Sequence, residues 1–117
     1  MTKTVKPHIA YIIDSLALIK NHTPADRHIF MRDRNAQDAT LIRLQDIGEQ
    51  LSRIRDNFPE FFEANHDESW HKLIGLRNII SHGYREVDFG IIWDVVNGKL
   101  PDFAERMQEL ADSSTTM

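Results

Sequence analysis

The stretch of sequence that decides the fold is residues 44–58, LQDIGEQLSRIRDNF. Its apolar residues step by three and four, which places them on one helix face, close to a heptad seam. They are Leu44, Ile47, Leu51, Ile54 and Phe58. The pattern predicts a helix from about Asn35 to Asn57, with Asn35 as its N-cap. Gly48 interrupts it at roughly 1 kcal/mol of helix propensity, and would let another helix approach closely.

The remaining segments also predict helices, because none shows sustained period-two alternation or a hairpin signal between β-rich runs. We expect one helix from about Val5 to Lys20 and another from Asp67 to Gly83, with Gly83 as a left-handed C-terminal residue. A short second helix is expected to begin at Thr23-Pro24 with Thr23 as its cap, and Pro59 is expected to open a short turn carrying Phe61 and Phe62. A helix capped by Asp88 is expected up to a stop at Asn97-Gly98, and a last helix from Pro101. Short connections imply antiparallel neighbours, so the chain is predicted to be an all-α helical bundle.

Length and composition indicate one globular domain. The chain has 117 residues, of which 41% are apolar and 27% are charged. Such a chain builds a single core and is neither disordered nor fibrous. We assign residues 1–112 to this domain and residues 113–117 to a flexible polar tail.

Composition also excludes several protein classes. No apolar run approaches the ~20 residues of a membrane helix, and the N-terminus does not resemble a signal peptide. The chain has no cysteine, which excludes disulfides and thiolate metal sites, and the cytoplasm is the expected compartment. The net charge of −4 argues against binding nucleic acid mainly by bulk electrostatics, but leaves open a local basic groove or brief contact with RNA.

Residues 77–84, Arg-Asn-Ile-Ile-Ser-His-Gly-Tyr, concentrate polar groups at the end of an apolar helix. Arginine stabilises phosphate charge and histidine transfers protons near neutral pH, so the combination suggests chemistry on a phosphodiester. On a helical wheel, His71, Gly75, Asn78 and His82 share one face. The opposite arc is apolar and is the expected core face, with Trp70, Leu73, Ile74, Leu76 and Ile80.

Arg77 is anomalous because it falls inside the apolar arc, where a guanidinium must be paired or must reach past its stem. It lies about 140° from His82 on the wheel. Either the long Arg77 side chain bends towards His82, or a second copy of the helix brings an arginine and a histidine together across a two-fold axis. The Gly75 face, which has little side-chain bulk, could be where two such helices approach. The structural alternative pairs Arg77 with an acidic residue such as Asp46 or Glu49 and makes His82 a favourable C-terminal cation.

Two other groups of residues are weaker candidates. His66, His71 and His82 lack the spacing of a helical metal site, so we expect solvated histidines and no metal ion. The arginines Arg27, Arg32 and Arg34 are expected to form a solvated face, although this face could touch phosphate.

The motif and its flanks resemble the HEPN superfamily and specifically the HepT-like toxin family. The similar residues are Trp70, Ile74-Gly75-Leu76-Arg77-Asn78, His82, Tyr84, Val87-Asp88, Ile92-Trp93 and Leu100-Pro101. Ala39-Thr40 and Ile47-Gly48-Glu49 also look like this family, so the resemblance covers nearly the whole chain.

The resemblance implies a helical bundle that dimerises, with the Arg-x4-His helices of two protomers meeting at a cleft. Many HEPN domains are metal-independent ribonucleases. HepT-like members are typically toxins of a type VII-like toxin–antitoxin module. Their antitoxin is an MntA-type minimal nucleotidyltransferase, which can neutralise the toxin by transferring AMP from ATP to the motif tyrosine, by occluding the site, or by both. The matching positions are Arg77 and His82 for catalysis, Asn78 in support, and Tyr84 for modification.

These observations lead to the hypothesis of an endoribonuclease toxin that needs no cofactor, with a second copy, RNA and the nucleotidyltransferase antitoxin as its partners. The alternative is a non-catalytic, nucleotide-binding accessory subunit of a minimal nucleotidyltransferase, in which Arg77 holds nucleotide phosphates. The acidic composition favours this alternative. A third possibility is a dimeric scaffold in which Arg77 is structural and Tyr84 is an ordinary half-buried aromatic.

Overall fold

A computed structural model describes residues 4–114, which form helices joined by short turns. The α-helices in chain order are α1 Lys6–His22, α2 Arg27–Arg32, α3 Arg34–Asn57, α4 Pro59–Asn65, α5 Glu68–His82, α6 Phe89–Asp94 and α7 Leu100–Ser114. A 3-10 turn over Tyr84–Glu86 follows α5, and a π turn over Val95–Lys99 joins α6 to α7. No strand occurs between residues 4 and 114, so the predicted all-α fold class is confirmed.

The central helix is α3, which packs against α1, α2, α4 and α5, while α1 also packs against α7. Two contacts fix the direction of α1 relative to α3. The side chains of His8 and Gln50 meet at 2.6 Å, and the hydroxyls of Thr23 and Thr40 meet at 3.1 Å. Because the start of α1 meets the later part of α3 and its end meets the earlier part, the two helices run antiparallel, as predicted.

The apolar seam of residues 44–58 lies at the centre of the core. Leu44, Ile47, Leu51 and Ile54 are each at most 1% exposed, and Phe58 packs half-buried beside them. The other six α-helices each add at least one buried apolar side chain, from Ile9, Ile12, Ile19, Phe30, Phe62, Trp70, Leu73, Ile74, Ile80, Ile92, Leu100, Phe103, Met107 and Leu110. All seven α-helices therefore enclose one core.

Gly48 marks a close approach between α3 and α5. A β-carbon added at Gly48 would lie 2.3 Å from Cβ of Arg77 and 2.8 Å from the carbonyl oxygen of Leu73. Carbon atoms in a packed interior do not approach so closely, so only glycine fits at this helix separation. The expectation that Gly48 admits a neighbouring helix is confirmed, and the neighbour is the helix that carries the motif.

The predicted start of the second helix at Thr23-Pro24 is wrong, because α2 begins at Arg27. Asp26 is its N-cap and accepts hydrogen bonds from two backbone N–H groups, at 2.7 and 3.3 Å. A carboxylate also favours the positive end of a helix. The Thr23 hydroxyl instead bonds to Thr40 and ties the end of α1 to α3.

The N-cap of α3 is Asp33 and not Asn35, which lies inside the first turn. The Asp33 carboxylate accepts the N–H of Ala36 at 3.0 Å. The segment after Pro59 is a seven-residue helix rather than a turn, because Phe62 buries one face of it in the core. Asp88 is confirmed as the N-cap of α6, where its carboxylate accepts two backbone N–H groups.

Two expected helix ends differ in the structure. Asn97-Gly98 do not stop the helix; the backbone stays helical through the π turn into α7, with the Asn97 amide donating to the Trp93 carbonyl at 3.0 Å. Gly83 does end α5, but its φ of −153° is not left-handed. The tail that we predicted from residue 113 begins inside α7, which continues to Ser114; residues 115–117 lie outside the described part.

None of the helices that residues 4–114 form is both long enough and apolar enough to cross a bilayer.

Candidate active site

The division of α5 into two faces is confirmed. Its core side buries Trp70, Leu73, Ile74 and Ile80, and Leu76 is half-buried beside them. The opposite side exposes His71, Asn78 and His82. Asp67 caps the helix by accepting the N–H of Ser69 at 2.8 Å, which fixes where the helical register begins.

Side-chain contacts tie the C-terminal half of α5 to α3. The Arg77 guanidinium lies 2.6 Å from the Glu49 carboxylate, and the Gln45 amide donates to the Ser81 hydroxyl at 2.9 Å. Because a later residue of α5 meets an earlier residue of α3, the two helices run antiparallel. The polar end of α5 is therefore held against the middle of the central helix.

Arg77 contacts both an acidic residue of α3 and a polar residue of its own helix. Its Nη2 pairs with Glu49, as one alternative predicted, whereas Asp46 pairs with Arg43 at 3.3 Å and does not contact Arg77. Its Nη1 donates to the amide oxygen of Asn78 at 3.0 Å, and its Nε is buried without a hydrogen-bond partner among the described residues. The side chain remains 33% exposed. The guanidinium is thus turned towards the Asn78 face.

His82 lies in the last turn of α5, one turn after Asn78 on the same exposed face. No side chain between residues 4 and 114 hydrogen-bonds its ring. The Arg77 guanidinium reaches Asn78 and not His82, so Asn78 is the group that links the arginine to the face of the histidine. Both nitrogens of the His82 ring are available to an external ligand.

Tyr84 begins the 3-10 turn directly after α5 and is 40% exposed. Its hydroxyl donates a hydrogen bond to the carboxylate of Asp38 in the first turns of α3. This hydrogen bond, burial and the charge of Asp38 raise the pKa of Tyr84 above its ordinary value of 10.0, and Arg34 opposes them. Arg34 itself pairs with Asp38 at 3.5 Å. Asp38 was not predicted as a neighbour of Tyr84, because nothing in its spacing from Tyr84 along the chain indicates a contact.

The three arginines of the Arg27, Arg32 and Arg34 group do not converge on one site. Arg27 pairs with Asp94 at 3.4 Å, and Arg34 pairs with Asp38. Arg32 donates to a backbone carbonyl of its own helix at 3.3 Å. All three are exposed, so the expected solvated face is present, and only Arg34 lies beside a residue of the motif.

His71 and His82 are exposed, as expected of solvated histidines, whereas His66 is half-buried and contacts His71, which the sequence did not predict. The ring nitrogens of His66 and His71 meet at 2.8 Å, and the His66 ring stacks on Phe62 with a centroid distance of 4.9 Å. The turn between α4 and α5 brings the two rings together. No group of three or more histidine, aspartate or glutamate side chains between residues 4 and 114 is arranged to hold a metal ion.

Residues 12–110 match the model of the family described as ribonuclease HepT-like. The chain belongs to this family. A HepT-like chain from Thermococcus cleftensis named "Probable ribonuclease HepT" is 27% identical over 115 residues, covering 94% of this chain and 98% of that one. The "mRNA nuclease HepT" of Shewanella oneidensis is 28% identical over 121 residues, covering 80% and 91%.

One relative is considerably longer. A Methanocaldococcus jannaschii protein named "Gamma-glutamylcyclotransferase and putative RNase" is 30% identical over 114 residues, which cover 96% of this chain and 50% of that protein. The chain therefore spans half the length of this relative. No solved structure matches the chain. Membership of the HepT-like family supports an RNase family for this protein.

Proposed function

We propose that this HepT-like protein is a metal-independent endoribonuclease whose site is formed by Arg77, Asn78 and His82. The observation that carries the proposal is the placement of Arg77. Its guanidinium pairs with Glu49 and donates to Asn78, which lies on the same exposed face of α5 as His82, while the Arg77 side chain stays 33% exposed and the His82 ring is unpaired within residues 4–114. An anchored cation and an imidazole without a partner, linked through the Asn78 face, suit phosphodiester cleavage.

In the proposed reaction, the ribose 2′-hydroxyl attacks the adjacent phosphorus and the 5′-oxygen of the next nucleotide leaves. This step gives a 2′,3′-cyclic phosphate, which water can then open. His82 takes the 2′-hydroxyl proton as a general base or supplies a proton to the leaving oxygen as a general acid. Arg77 stabilises the charge on the phosphoryl oxygens, and Asn78 orients the guanidinium through their 3.0 Å hydrogen bond.

A homodimer would complete this site. One protomer supplies a single His82, whereas in-line cleavage uses both an acid and a base, so two protomers would provide both. An exposed apolar residue on the motif helix supports this arrangement, because Ile79 is 54% exposed directly beside Asn78. Burying such a residue against a second copy is favourable. The small face at Gly75, where an added β-carbon meets nothing within 4 Å, allows another helix to approach.

We propose further that Tyr84 receives AMP from ATP through an MntA-type minimal nucleotidyltransferase, as the antitoxin of a type VII-like module. The side chain follows α5 directly and is 40% exposed, so a partner enzyme can reach it. The phosphodiester of AMP adds negative charge and bulk beside the nuclease face, which would repel RNA phosphates.

The alternative function is a non-catalytic accessory subunit that binds nucleotide through Arg77. One observation favours it: the Glu49 carboxylate, which also pairs with Arg53 at 3.2 Å, lies 2.6 Å from Arg77 and weakens its attraction for an RNA phosphate. A gene neighbour that encodes a nucleotidyltransferase is expected for both functions. Loss of cleavage on changing His82 distinguishes them, since the accessory function needs no proton transfer.

The test compares the wild-type chain with His82→Ala, and uses His71→Ala as a matched control on the same face of the same helix. Each protein is expressed alone, growth and total RNA are followed, and the purified proteins are incubated with RNA in the presence of EDTA. We expect growth arrest and RNA fragments from wild type and His71→Ala, and neither from His82→Ala. Cleavage by His82→Ala at the wild-type rate would refute the assignment, and cleavage that EDTA abolishes would refute metal independence.

A further inference from the structure

The chain contains two tyrosines, and they are almost equally exposed. Tyr11 on α1 is 45% exposed and Tyr84 is 40% exposed, so accessibility does not favour one over the other. Their surroundings differ. The Tyr84 hydroxyl donates to the Asp38 carboxylate, and Arg34 lies 3.5 Å from the same carboxylate oxygen. No side chain between residues 4 and 114 hydrogen-bonds the hydroxyl of Tyr11.

The surroundings of Tyr84 are built by the tertiary fold. Asp38 precedes Tyr84 by 46 residues and reaches it because α3 packs against the end of α5. Asp38 and Arg34 are the only ionisable side chains among residues 4–114 that perturb the pKa of Tyr84, and the hydrogen bond to Asp38 is the largest cause of the increase. The tyrosine is therefore neutral at physiological pH, and its proton already points at a carboxylate oxygen.

A neutral phenol is a poor nucleophile, so transfer of a phosphoryl group to Tyr84 needs a base for its proton. It also needs a positive group near the phosphoryl oxygens, where negative charge develops. Asp38 can act as the base, because it accepts the hydrogen bond from the Tyr84 hydroxyl, and Arg34, which pairs with Asp38, can supply the positive charge. Arg34 also lines an open pocket of about 460 Å³ with Ile29 and Arg32, and Tyr84 is not part of its lining.

Building on the proposed adenylylation of Tyr84, we propose that Asp38 and Arg34 form the acceptor half of the adenylyl-transfer site. Oη of Tyr84 attacks the α-phosphorus of ATP and forms the new O–P bond. The bond from that phosphorus to the bridging oxygen breaks, and pyrophosphate leaves with the electron pair. The phenolic proton passes to the Asp38 carboxylate and then to water. Arg34 exchanges its contact with Asp38 for the phosphate of the attached AMP.

The experiment measures AMP transfer to the purified chain by the cognate nucleotidyltransferase with ATP and Mg²⁺, at several pH values from 6 to 8. Intact mass gives the rate and peptide mapping gives the site. The variants are Asp38→Asn, which keeps an acceptor oxygen but is not basic, and Arg34→Gln. Asp46→Asn is the matched control, because Asp46 lies on the same helix, pairs with Arg43 and makes no contact with Tyr84.

We expect wild type and Asp46→Asn to be modified at Tyr84 at equal rates and not at Tyr11. Asp38→Asn should be about 100-fold slower at pH 7, the scale of a lost general base. Without that base the reaction depends on the phenolate, so the ratio of wild-type to variant rates should fall about tenfold per pH unit from 6 to 8. Arg34→Gln should slow transfer while leaving the pH dependence unchanged.

Two results would overturn the proposal without affecting the adenylylation of Tyr84. One is an unchanged rate for Asp38→Asn. The other is a loss that is the same at every pH, which is the result expected of a purely structural role. If wild type acquires no AMP on Tyr84, both the adenylylation and its acceptor site are refuted. Cleavage of RNA by the same preparation is scored separately and reports on the nuclease alone.

Discussion

Substituting Gly48→Ala tests whether the close approach of α3 and α5 holds Arg77 in place. The new β-carbon would lie 2.3 Å from Cβ of Arg77, about 1 Å inside ordinary contact, and 2.8 Å from the carbonyl oxygen of Leu73. Neither neighbour is the end of a flexible side chain. The two helices must therefore move apart, and the backbone of Arg77 must move with α5.

The expected cost follows from two opposing effects. Overpacking a well-packed site costs typically about 1–3 kcal/mol, and a rigid helix backbone places this substitution near the upper value. Alanine recovers roughly 0.5–1 kcal/mol of helix propensity relative to glycine. The net loss is about 2 kcal/mol of unfolding free energy, or roughly 8 °C in Tm at about 4 °C per kcal/mol for a domain near this size.

The assay is chemical denaturation of wild type and Gly48→Ala, followed by circular dichroism. Gly98→Ala is the control, because Gly98 is helical and exposed and its added β-carbon meets nothing within 4 Å. We expect the unfolding free energy of Gly98→Ala to rise by roughly 0.5–1 kcal/mol. Replacing glycine by alanine should therefore destabilise the protein at position 48 and stabilise it at position 98. A Gly48→Ala protein that is as stable as wild type would refute the tight contact, provided that the dependence on denaturant concentration is unchanged.

Four further predictions concern α5 and the residues that contact it. In a Tyr11→Phe protein Tyr84 is the only tyrosine, and its ionisation, followed by absorbance at alkaline pH, should have a midpoint above pH 10.0 because Asp38 holds the phenolic proton. Adding Asp38→Asn should lower that midpoint, and an unchanged midpoint would contradict the hydrogen bond. Since the folded pKa of Tyr84 is raised, its contribution to stability is present below pH 10 and is lost as the pH rises through the folded value. The unfolding free energy of wild type should therefore fall more steeply above pH 10 than that of Tyr84→Phe, and parallel curves would argue against the contact. Glu49→Gln removes the 2.6 Å ion pair with Arg77 and should lower the unfolding free energy by about 1 kcal/mol. It should also displace Arg77 and lower RNA cleavage, whereas Glu63→Gln on α4 should leave cleavage unchanged. Cleavage unaffected by Glu49→Gln would show that the ion pair does not position Arg77. Gly75→Ala should not destabilise the protomer, since its β-carbon meets nothing within 4 Å, but should raise the Kd of the proposed homodimer in sedimentation equilibrium; an unchanged Kd would place the dimer contact elsewhere.

The helical core was predictable from the sequence because the spacing of apolar residues fixes which side of each helix is buried. Leu44, Ile47, Leu51 and Ile54 are buried as the three-and-four pattern requires. Helix ends were less predictable, since several polar residues near each end can cap it. Asp26 replaced Thr23 as an N-cap because Thr23 bonds to Thr40 on another helix. The sequence around α2 alone does not show which of the two residues caps the helix.

Some features of the candidate site were likewise predictable from the sequence, and others were not. The sequence by itself determined that Asn78 and His82 share an exposed face and that Arg77 starts inside an apolar arc, because both follow from helix periodicity. Only the tertiary structure decided that Glu49, and not Asp46, holds Arg77, and that Asp38 receives the hydroxyl of Tyr84. These partners lie 28 and 46 residues away along the chain. They meet because Gly48 lets two antiparallel helices pack closely, which sets the register of every contact between them.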